Sequence, residues 1–579
     1  MTGQPPWSRS AAAGLIGVCA VALAIRWPGI DAHLPDIYWH DELNFIEGGL
    51  RVGAGEVVAA SYGGYSHGTL TYYLLFAAFS ACFLAGRLIG LFRSPDDLLM
   101  SYVTDPSGLV LVARLVLLAA TTAAVGLTFV IARRLFGTRA ALVSAGLLAV
   151  SFQSVQITLG KEDGLFALLV LATVGLALRL LDSPSSRSRL VALGAAAGVA
   201  TAVKYFGVFL LPLIPLTLLL AGPGRVRISE VAAKTAMAGG AFVLIFLILV
   251  PGLLFDTGRF VSSFRALATV NTGTMFSDTG VAVSPWYGYL WNTLALSNGL
   301  VAAGLFYVAA AWLLRQRPRQ AGVLLAYPAT LFGVLTMTLV LGRPAEAVNF
   351  YQVSALPLLC IAGGAFLGSL LSRDWTRRLA GAAILVVIVA ANVADDLRFE
   401  RLLGLADTRT IARQWIEQHV EEEASMLVEG AIGTFVLEGP QLQETEGSLN
   451  RTLIDIRRLG GGGGLWSAKV RAARAGVGTR RFDVSKVRDV TMERLDAAPS
   501  YVVVRSERSR RLVESTGRYH VVFAATSDSP ALFRSVPLLS SADIARLRRI
   551  PLLADDPQFT PGPNIHVYRR TGAAGEPVS

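Results

Sequence analysis

Eleven apolar runs, each long enough or nearly long enough to cross a bilayer, dominate the chain and limit what it can become. They fall at about 11–29, 109–131, 139–157, 164–181, 189–203, 206–221, 235–255, 291–313, 321–341, 352–371 and 379–394. Backbone groups in lipid must be satisfied within their own segment, so such runs fold as helices. The expected fold class is therefore a polytopic α-helical membrane protein. Composition agrees: 53% of residues are hydrophobic, only 16% are charged, and mean hydropathy is +0.53. Soluble domains carry about 25% charged residues. The net charge of +11 then marks cytoplasmic loops, and no nucleic-acid partner is expected. Cys19, Cys82 and Cys360 all sit in apolar stretches, which leaves no readable disulfide framework. Arg9 precedes the first apolar run and no small-residue cleavage site follows it, so the N-terminus reads as an uncleaved signal anchor.

Orientation follows from the basic residues. With the N-terminus inside, the inner loops hold Arg133, Arg134 and Arg139; Arg187 and Arg189; Arg225, Arg227 and Lys234; Arg315, Arg317 and Arg319; and Arg373, Arg377 and Arg378. The outer turns hold Lys161, Lys204, Arg259, Arg265 and Arg343. This asymmetry holds only if the apolar stretch 68–92 does not cross. Residues 31–108 are thus expected to form one long outer loop with two interfacial helices, at about 41–60 and 68–92; Arg87 inside the second suits a helix lying in the interface. The membrane domain would end near residue 395, and 396–579 would form a small outer α/β domain. In that tail 407–420 has helical periodicity, and Leu427–Glu429, Tyr501–Val504, His520–Phe523 and Ile565–Tyr568 read as short strands. The glycine run 460–464 lacks the Lys-Ser/Thr of a phosphate loop and reads as a flexible connection.

The candidate chemistry gathers at the outer helix ends. Asp41 and Glu42 follow the first span beside Tyr38 and Trp39, and two adjacent carboxylates raise each other's pKa, which suits one of them to accept a proton. Lys161, Glu162 and Asp163 fill the turn before the fourth span, where ionisable residues are costly unless paired or wet. Lys204 and Tyr205 occupy the turn between the fifth and sixth spans. A lysine there either snorkels to the interface or holds a phosphate. Arg259, Arg265 and Arg343 add cations and Trp286 and Tyr287 add aromatic faces. Carboxylates suit deprotonation of a hydroxyl, and cations suit a departing phosphate. No nucleophilic triad is apparent. The spacing of His40, Asp41, Glu42 and His67 matches no strong metal-ligand pattern, so no cofactor is expected; a divalent cation at His40, Asp41 and Glu42 is the alternative, with His67 hydrogen-bonding in the loop.

These features resemble a known family. Asp41-Glu42 after the first span, the stretch Tyr65-Ser-His-Gly-Thr-Leu-Thr-Tyr-Tyr-Leu74, and Ala113-Arg114-Leu115 opening a span that ends Arg133-Arg134-Leu-Phe-Gly137 look like the polyprenyl-phosphate-sugar-dependent glycosyltransferases of the GT-C fold. That group includes the protein O-mannosyltransferases and the lipid A aminoarabinose transferases. The turn ending in Asp163, Gly198-Val-Ala-Thr-Ala-Val-Lys-Tyr205, Asp407-Thr-Arg-Thr-Ile-Ala-Arg-Gln-Trp-Ile416 and Pro561-Gly-Pro-Asn-Ile-His-Val-Tyr568 fit the same pattern. The resemblance implies an inverting transfer of a hexosyl or pentosyl group, outside the cytoplasmic membrane, from a polyprenyl-phosphate sugar to a protein, lipid or glycan hydroxyl. It implies Asp41 as base, Glu42 and Asp163 orienting acceptor or base, and Lys204 on the carrier phosphate. Two positions depart from it. Lys-Pro-Pro-Leu is common in relatives where this chain has His67-Gly-Thr-Leu70, and Arg-Tyr where it has Asn349-Phe-Tyr351. Arg343 is the candidate replacement for a cation lost there. Two other readings compete: a flippase or transporter of lipid-linked sugars, and a non-catalytic sugar-binding subunit. A transporter would carry its polar residues mid-membrane. Here they gather at the outer ends, which favours the enzyme.

Overall fold

The computed structural model describes residues 8–56, 65, 67–157, 160–221, 227–272, 294–295, 297–340, 352–432, 435–436, 439–458, 464–476, 480–527, 547–548 and 560–571. Every apolar run that is described is helical: Arg9–Arg26, Ser107–Phe136, Thr138–Ala149 with the short Phe152–Gln156, Asp163–Leu181, Arg187–Val203, Tyr205–Leu210 with Leu213–Ala221, Ile228–Leu249, Leu300–Gln316, Pro318–Val340, Leu356–Leu370 and Trp375–Leu403. The chain is a polytopic helical membrane protein with a small sheet domain at its C-terminal end. Small residues, among them Ala132, Ala141, Ala197, Ala200 and Ala309, fill the seams of the bundle, where close approach replaces the hydrophobic effect as the source of cohesion. Thr121, Thr128, Thr173, Thr201 and Thr217 each donate their hydroxyl to the carbonyl one turn back, so they are buried without orphaned donors.

Among the described residues the 31–108 region holds three helices, where two are expected. His40–Gly53 and Leu70–Leu88 match the expected pair, and Pro95–Thr104 is an addition, started by a capping box between Ser94 and Asp97. Leu43, Phe45 and Ile46 of the first helix pack with Tyr72, Leu75 and Phe79 of the second and with Leu109, Val110 and Ala113 of the Ser107–Phe136 helix. By length and composition Leu70–Leu88 is one of seven described segments able to cross a membrane.

The tail's main sheet runs β4-β1-β5-β7-β6, built from β1 (Ser425–Glu429), β4 (Asp483–Val487), β5 (Tyr501–Val504), β6 (Tyr519–Ala525) and β7 (Ile565–Arg570). β2 (Ala431–Ile432) and β3 (Phe435–Val436) pair separately. β4, β1 and β5 are parallel, whereas β7 lies antiparallel between β5 and β6. Helices Glu446–Arg458 and Gly464–Arg474 make the crossover from β1 to β4, as a parallel connection requires. Helix Thr408–His419, whose N-terminus is capped by Asp407, places Ala412 and Ile416 on one face of the sheet with Met426, Val428 and Val503. The Trp375–Leu403 helix runs on past the expected boundary at 395–396. The tail folds back onto the segment before Asp41. The glycine run at 460–464 lies outside the described residues except for Gly464, which opens a helix.

Candidate functional site

Four turns converge at one end of the bundle. Asp41 and Glu42 lie in the first turn of His40–Gly53, where the helix dipole favours carboxylates. Asp163 opens Asp163–Leu181, preceded by Lys161 and Glu162, and Lys204 caps the end of Arg187–Val203. His67 comes from the stretch before Leu70–Leu88. Two glycines permit the approach. Gly160 has φ +69°, and a Cβ there would lie 2.5 Å from the Cβ of Glu42. A Cβ at Gly68 would lie 2.0 Å from the carbonyl oxygen of Ala202, so the His67 stretch rests directly on the backbone that leads to Lys204.

The converging side chains form a chain of alternating charge. Lys161 Nζ donates to Asp41 Oδ2 at 2.6 Å. Asp41 Oδ1 lies 3.5 Å from His67 Nε2, and His67 Nδ1 lies 3.2 Å from Glu162 Oε1. Lys204 Nζ is 3.7 Å from the same Glu162 oxygen and donates to Asp163 Oδ1 at 2.6 Å. Burial alone would lower the pKa of His67, but Glu162 and Asp41 outweigh it and push the imidazole up to about 9. Burial would raise Glu162, yet Lys204 and His67 hold it down to about 2. Against the same burial, Asp41 and Asp163 keep Lys161 above its ordinary value, and Asp163 and Glu162 do so for Lys204. Burial outweighs Lys204 at Asp163 and raises its carboxyl above the ordinary value. Asp163 Oδ2 is buried and has no hydrogen-bond partner among the described residues, which leaves an acceptor oxygen uncommitted.

Glu42 takes no place in this chain. Arg114 grips it with Nε at 2.7 Å from Oε1 and Nη2 at 3.0 Å from Oε2, and both side chains are 1% exposed. The same guanidinium donates Nη1 to the carbonyls of Ile30 and Ala32 and lies over the ring of Trp39, 5.1 Å from its centroid. Adjacent residues thus meet different surroundings: Asp41 faces the lysines and His67, Glu42 faces the bundle. The alternative cation site fares accordingly, since Glu42 is committed to Arg114; the side chain of His40 is outside the described residues. Among the described residues no group of three His, Cys, Asp or Glu is arranged to hold a metal.

Tyr205 supports the His67 stretch by donating its hydroxyl to the His67 carbonyl at 3.1 Å. Its ring meets Phe260 at 5.9 Å and Phe264 at 6.0 Å, both on helix Thr257–Thr272. That helix also carries Arg259, whose charge reaches Tyr65; Tyr65 in turn donates to Asp256 at 3.2 Å. Arg265 is exposed on the same helix. Arg343, Trp286 and Tyr287 lie outside the described residues. Arg114 and Tyr65 belong to the site but are not set apart as site residues by the motifs Ala113-Arg114-Leu115 and Tyr65–Leu74 that contain them. An arginine five residues into an apolar run of this length is nevertheless a signal, because burying it requires a counter-charge.

Residues 106–253 match the family model described as dolichyl-phosphate-mannose-protein mannosyltransferase, a segment that contains Arg114, Lys161, Glu162, Asp163 and Lys204 but neither Asp41 nor His67. The fold is similar to that of ArnT from Cupriavidus metallidurans crystallised with undecaprenyl phosphate: TM-score 0.50, 17% identity, covering 88% of this chain and 96% of that one. Against the same protein in its apo state the TM-score is 0.50, with 16% identity over 89% of this chain and 96% of that one. The oligosaccharyltransferase AglB from Archaeoglobus fulgidus is a more distant likeness, at TM-score 0.47 and 10% identity over 90% of this chain and 73% of that one. No curated protein sequence matches the chain. The likeness to ArnT shows an integral membrane protein of the GT-C fold, and residues 106–253 add a match to the mannosyltransferase family model over that segment.

Proposed function

We propose that this chain is a membrane glycosyltransferase that moves a sugar from a polyprenyl-phosphate carrier to an acceptor hydroxyl outside the cytoplasmic membrane, with inversion at the anomeric carbon. The observation that carries the reading is the convergence of Asp41, His67, Glu162, Asp163, Lys161 and Lys204 on one end of the bundle. The basic residues at the opposite helix ends support an outer position for that end. In the proposed step the acceptor oxygen forms a bond to the anomeric carbon as its bond to the carrier phosphate breaks. The phosphate leaves with the electron pair, and the hydroxyl proton passes to Asp41. Lys204, at the rim of the cluster, meets the phosphate; Asp163 and Glu162 orient acceptor and lysine, and Arg259 and Arg343 are further candidates for the donor. Glu42 acts through Arg114 by fixing the first turn that carries Asp41.

A positioned base contributes 10²–10⁴-fold. Asp41→Asn keeps the size and most hydrogen bonds of Asp41 but cannot take the proton, so it is expected to lose at least ~100-fold in transfer. The assay is transfer from a polyprenyl-phosphate sugar by detergent-purified protein, with monodispersity checked. Near-normal turnover by Asp41→Asn would remove Asp41 as base. Near-normal turnover by Asp163→Asn as well would defeat the catalytic reading of this end of the bundle.

A further inference from the structure

The tail grips the short segment that leads into Asp41. Gln441 reads Ile37 through both of its backbone groups: its Oε1 accepts from Ile37 N–H at 3.0 Å, and its Nε2 donates to the Ile37 carbonyl. One residue earlier, the buried carboxylate of Asp36 is taken by helix Thr408–His419. Arg413 Nε lies 3.0 Å from Asp36 Oδ1, and Thr410 donates to Oδ2 at 2.9 Å. One residue later, the Tyr38 hydroxyl lies 2.8 Å from Thr410 and donates to Asp36 at 3.0 Å. The Arg409 guanidinium covers the Tyr38 ring, 3.7 Å from its centroid, and is itself held by Asp407. Three consecutive residues are therefore fixed by four tail side chains more than 370 positions away in sequence. A second attachment lies on the His40–Gly53 helix that carries Asp41, where Lys469 of the Gly464–Arg474 helix reaches Glu47 at 3.4 Å. No pocket of sheet or helix in the tail is needed to explain these contacts; their common target is the approach to the Asp41 turn.

We propose that Gln441, with Thr410 and Arg413, is a positioning residue for the transfer reaction: the tail sets the register of the Asp36–Tyr38 segment and so the placement of the Asp41 carboxylate. This rests on the reading of Asp41 as base. Asp36–Trp39 belong to no helix or strand. The N–H and carbonyl of Ile37 are both taken by Gln441, so the tail bears on where the following helix begins. A shift of about 1 Å at a reacting group costs on the order of 100-fold in rate, which makes a remote clamp of this kind consequential.

The test uses the full chain in detergent with Gln441→Ala and Gln441→Asn, the second carrying the same amide on a stem one carbon too short to reach both Ile37 groups. Hydrogen exchange of the peptide covering residues 36–45 is read beside transfer kinetics. Both variants are expected to speed exchange in that peptide, to lower kcat by about 10- to 100-fold, and to leave the donor KM nearly unchanged, because the defect lies in placement and not in ground-state binding. Where Gln441→Ala does not fold, Thr410→Val, which removes the hydroxyl donor to Asp36 at nearly constant shape, gives the same pattern at smaller size. Unchanged exchange in the 36–45 peptide overturns the clamp. Faster exchange with unchanged kcat overturns the positioning role. Asp41→Asn, run alongside, keeps the two readings apart: if it loses transfer while the Gln441 variants do not, the inference fails and the proposed function stands.

Discussion

Glu42→Gln separates placement from chemistry at the paired carboxylates. Glu42 accepts two guanidinium N–H groups of Arg114, at 2.7 and 3.0 Å, in surroundings where both side chains are 1% exposed. A glutamine still accepts through Oε1 but turns an NH₂ toward the second guanidinium N–H, donor against donor. It also leaves the Arg114 charge buried without its counter-ion. The lost charge-assisted bond costs about 1.5–3 kcal/mol, and breaking a buried pair from one side brings the total to about 3–5 kcal/mol. Removing both partners, as Arg114→Met with Glu42→Leu, erases the unpaired charge. What remains is the Ile30 and Ala32 carbonyls without their donor, roughly 1–3 kcal/mol each if no water replaces it. The double variant is therefore expected to unfold no earlier than Arg114→Met alone, in which Glu42 is stranded. The assay pairs thermal unfolding in detergent with transfer per folded molecule. If Glu42 acts by placement, its loss of transfer follows its loss of stability, and the double variant regains part of both. Glu42→Gln with wild-type unfolding and a turnover loss as deep as that of Asp41→Asn would refute the reasoning and make Glu42 the proton acceptor.

Two further outcomes are expected. His67 is raised from an ordinary 6.5 to about 9, so its contribution to stability is full below about 6.5 and is lost as pH rises through 9; Glu162, lowered from 4.5 to about 2, contributes above about 4.5 and loses its effect as pH falls through 2. Unfolding temperature should therefore decline on the alkaline side near pH 9, and His67→Gln should lack that decline; an identical decline in the variant would assign it elsewhere. For orientation, Glu493→Cys, exposed on the tail, placed in a background without Cys19 and Cys82, should react with an impermeant thiol reagent in spheroplasts; labelling only after permeabilisation would put the site on the other membrane face.

The bundle was legible because every spanning run declares itself by length and hydropathy, and the lysines and carboxylates of the site stood out because charge at the end of such a run is costly without a purpose. Asp41, Lys161, Glu162, Asp163 and Lys204 were found on that ground. What distinguished Asp41 from Glu42 was not legible. It depends on Arg114, 72 positions away in sequence, and only the fold shows which of two neighbours faces the bundle. The clamp on Asp36–Tyr38 is further out of reach, because a glutamine amide binding a backbone leaves no periodicity or composition signal. β4 escaped because Asp483–Val487 mixes an exposed serine and a half-buried lysine into a short strand, whereas Glu446–Arg458 carries Leu449, Leu453 and Ile456 at helical spacing and could have been read. Leu70–Leu88 shows the limit of hydropathy itself: it is apolar enough to span, and only the charge asymmetry of the later loops argues that it lies in the interface.

In the proposed reaction the site's charge moves but does not change, and that makes a last, sharper test of Lys204. The donor is a phosphodiester with one negative charge. The released carrier is a phosphomonoester, which near neutral pH carries close to two, its second pKa being about 6. The acceptor proton lands on Asp41, so one negative charge disappears beside Lys161 while one appears on the phosphate. Lys204, now shared between Asp163 at 2.6 Å and Glu162 at 3.7 Å, would serve the phosphate more strongly after the bond breaks than before. Interactions that strengthen along the reaction raise kcat, whereas those equal in both states change only KM. Lys204→Gln should accordingly lower kcat, and it should weaken inhibition by free polyprenyl phosphate by a larger factor than it raises the donor KM. A rise in donor KM equal to the rise in the inhibition constant, with kcat untouched, would mean that Lys204 holds the carrier without assisting its departure, and the cation that meets the developing charge would have to be sought at Lys161 or Arg259.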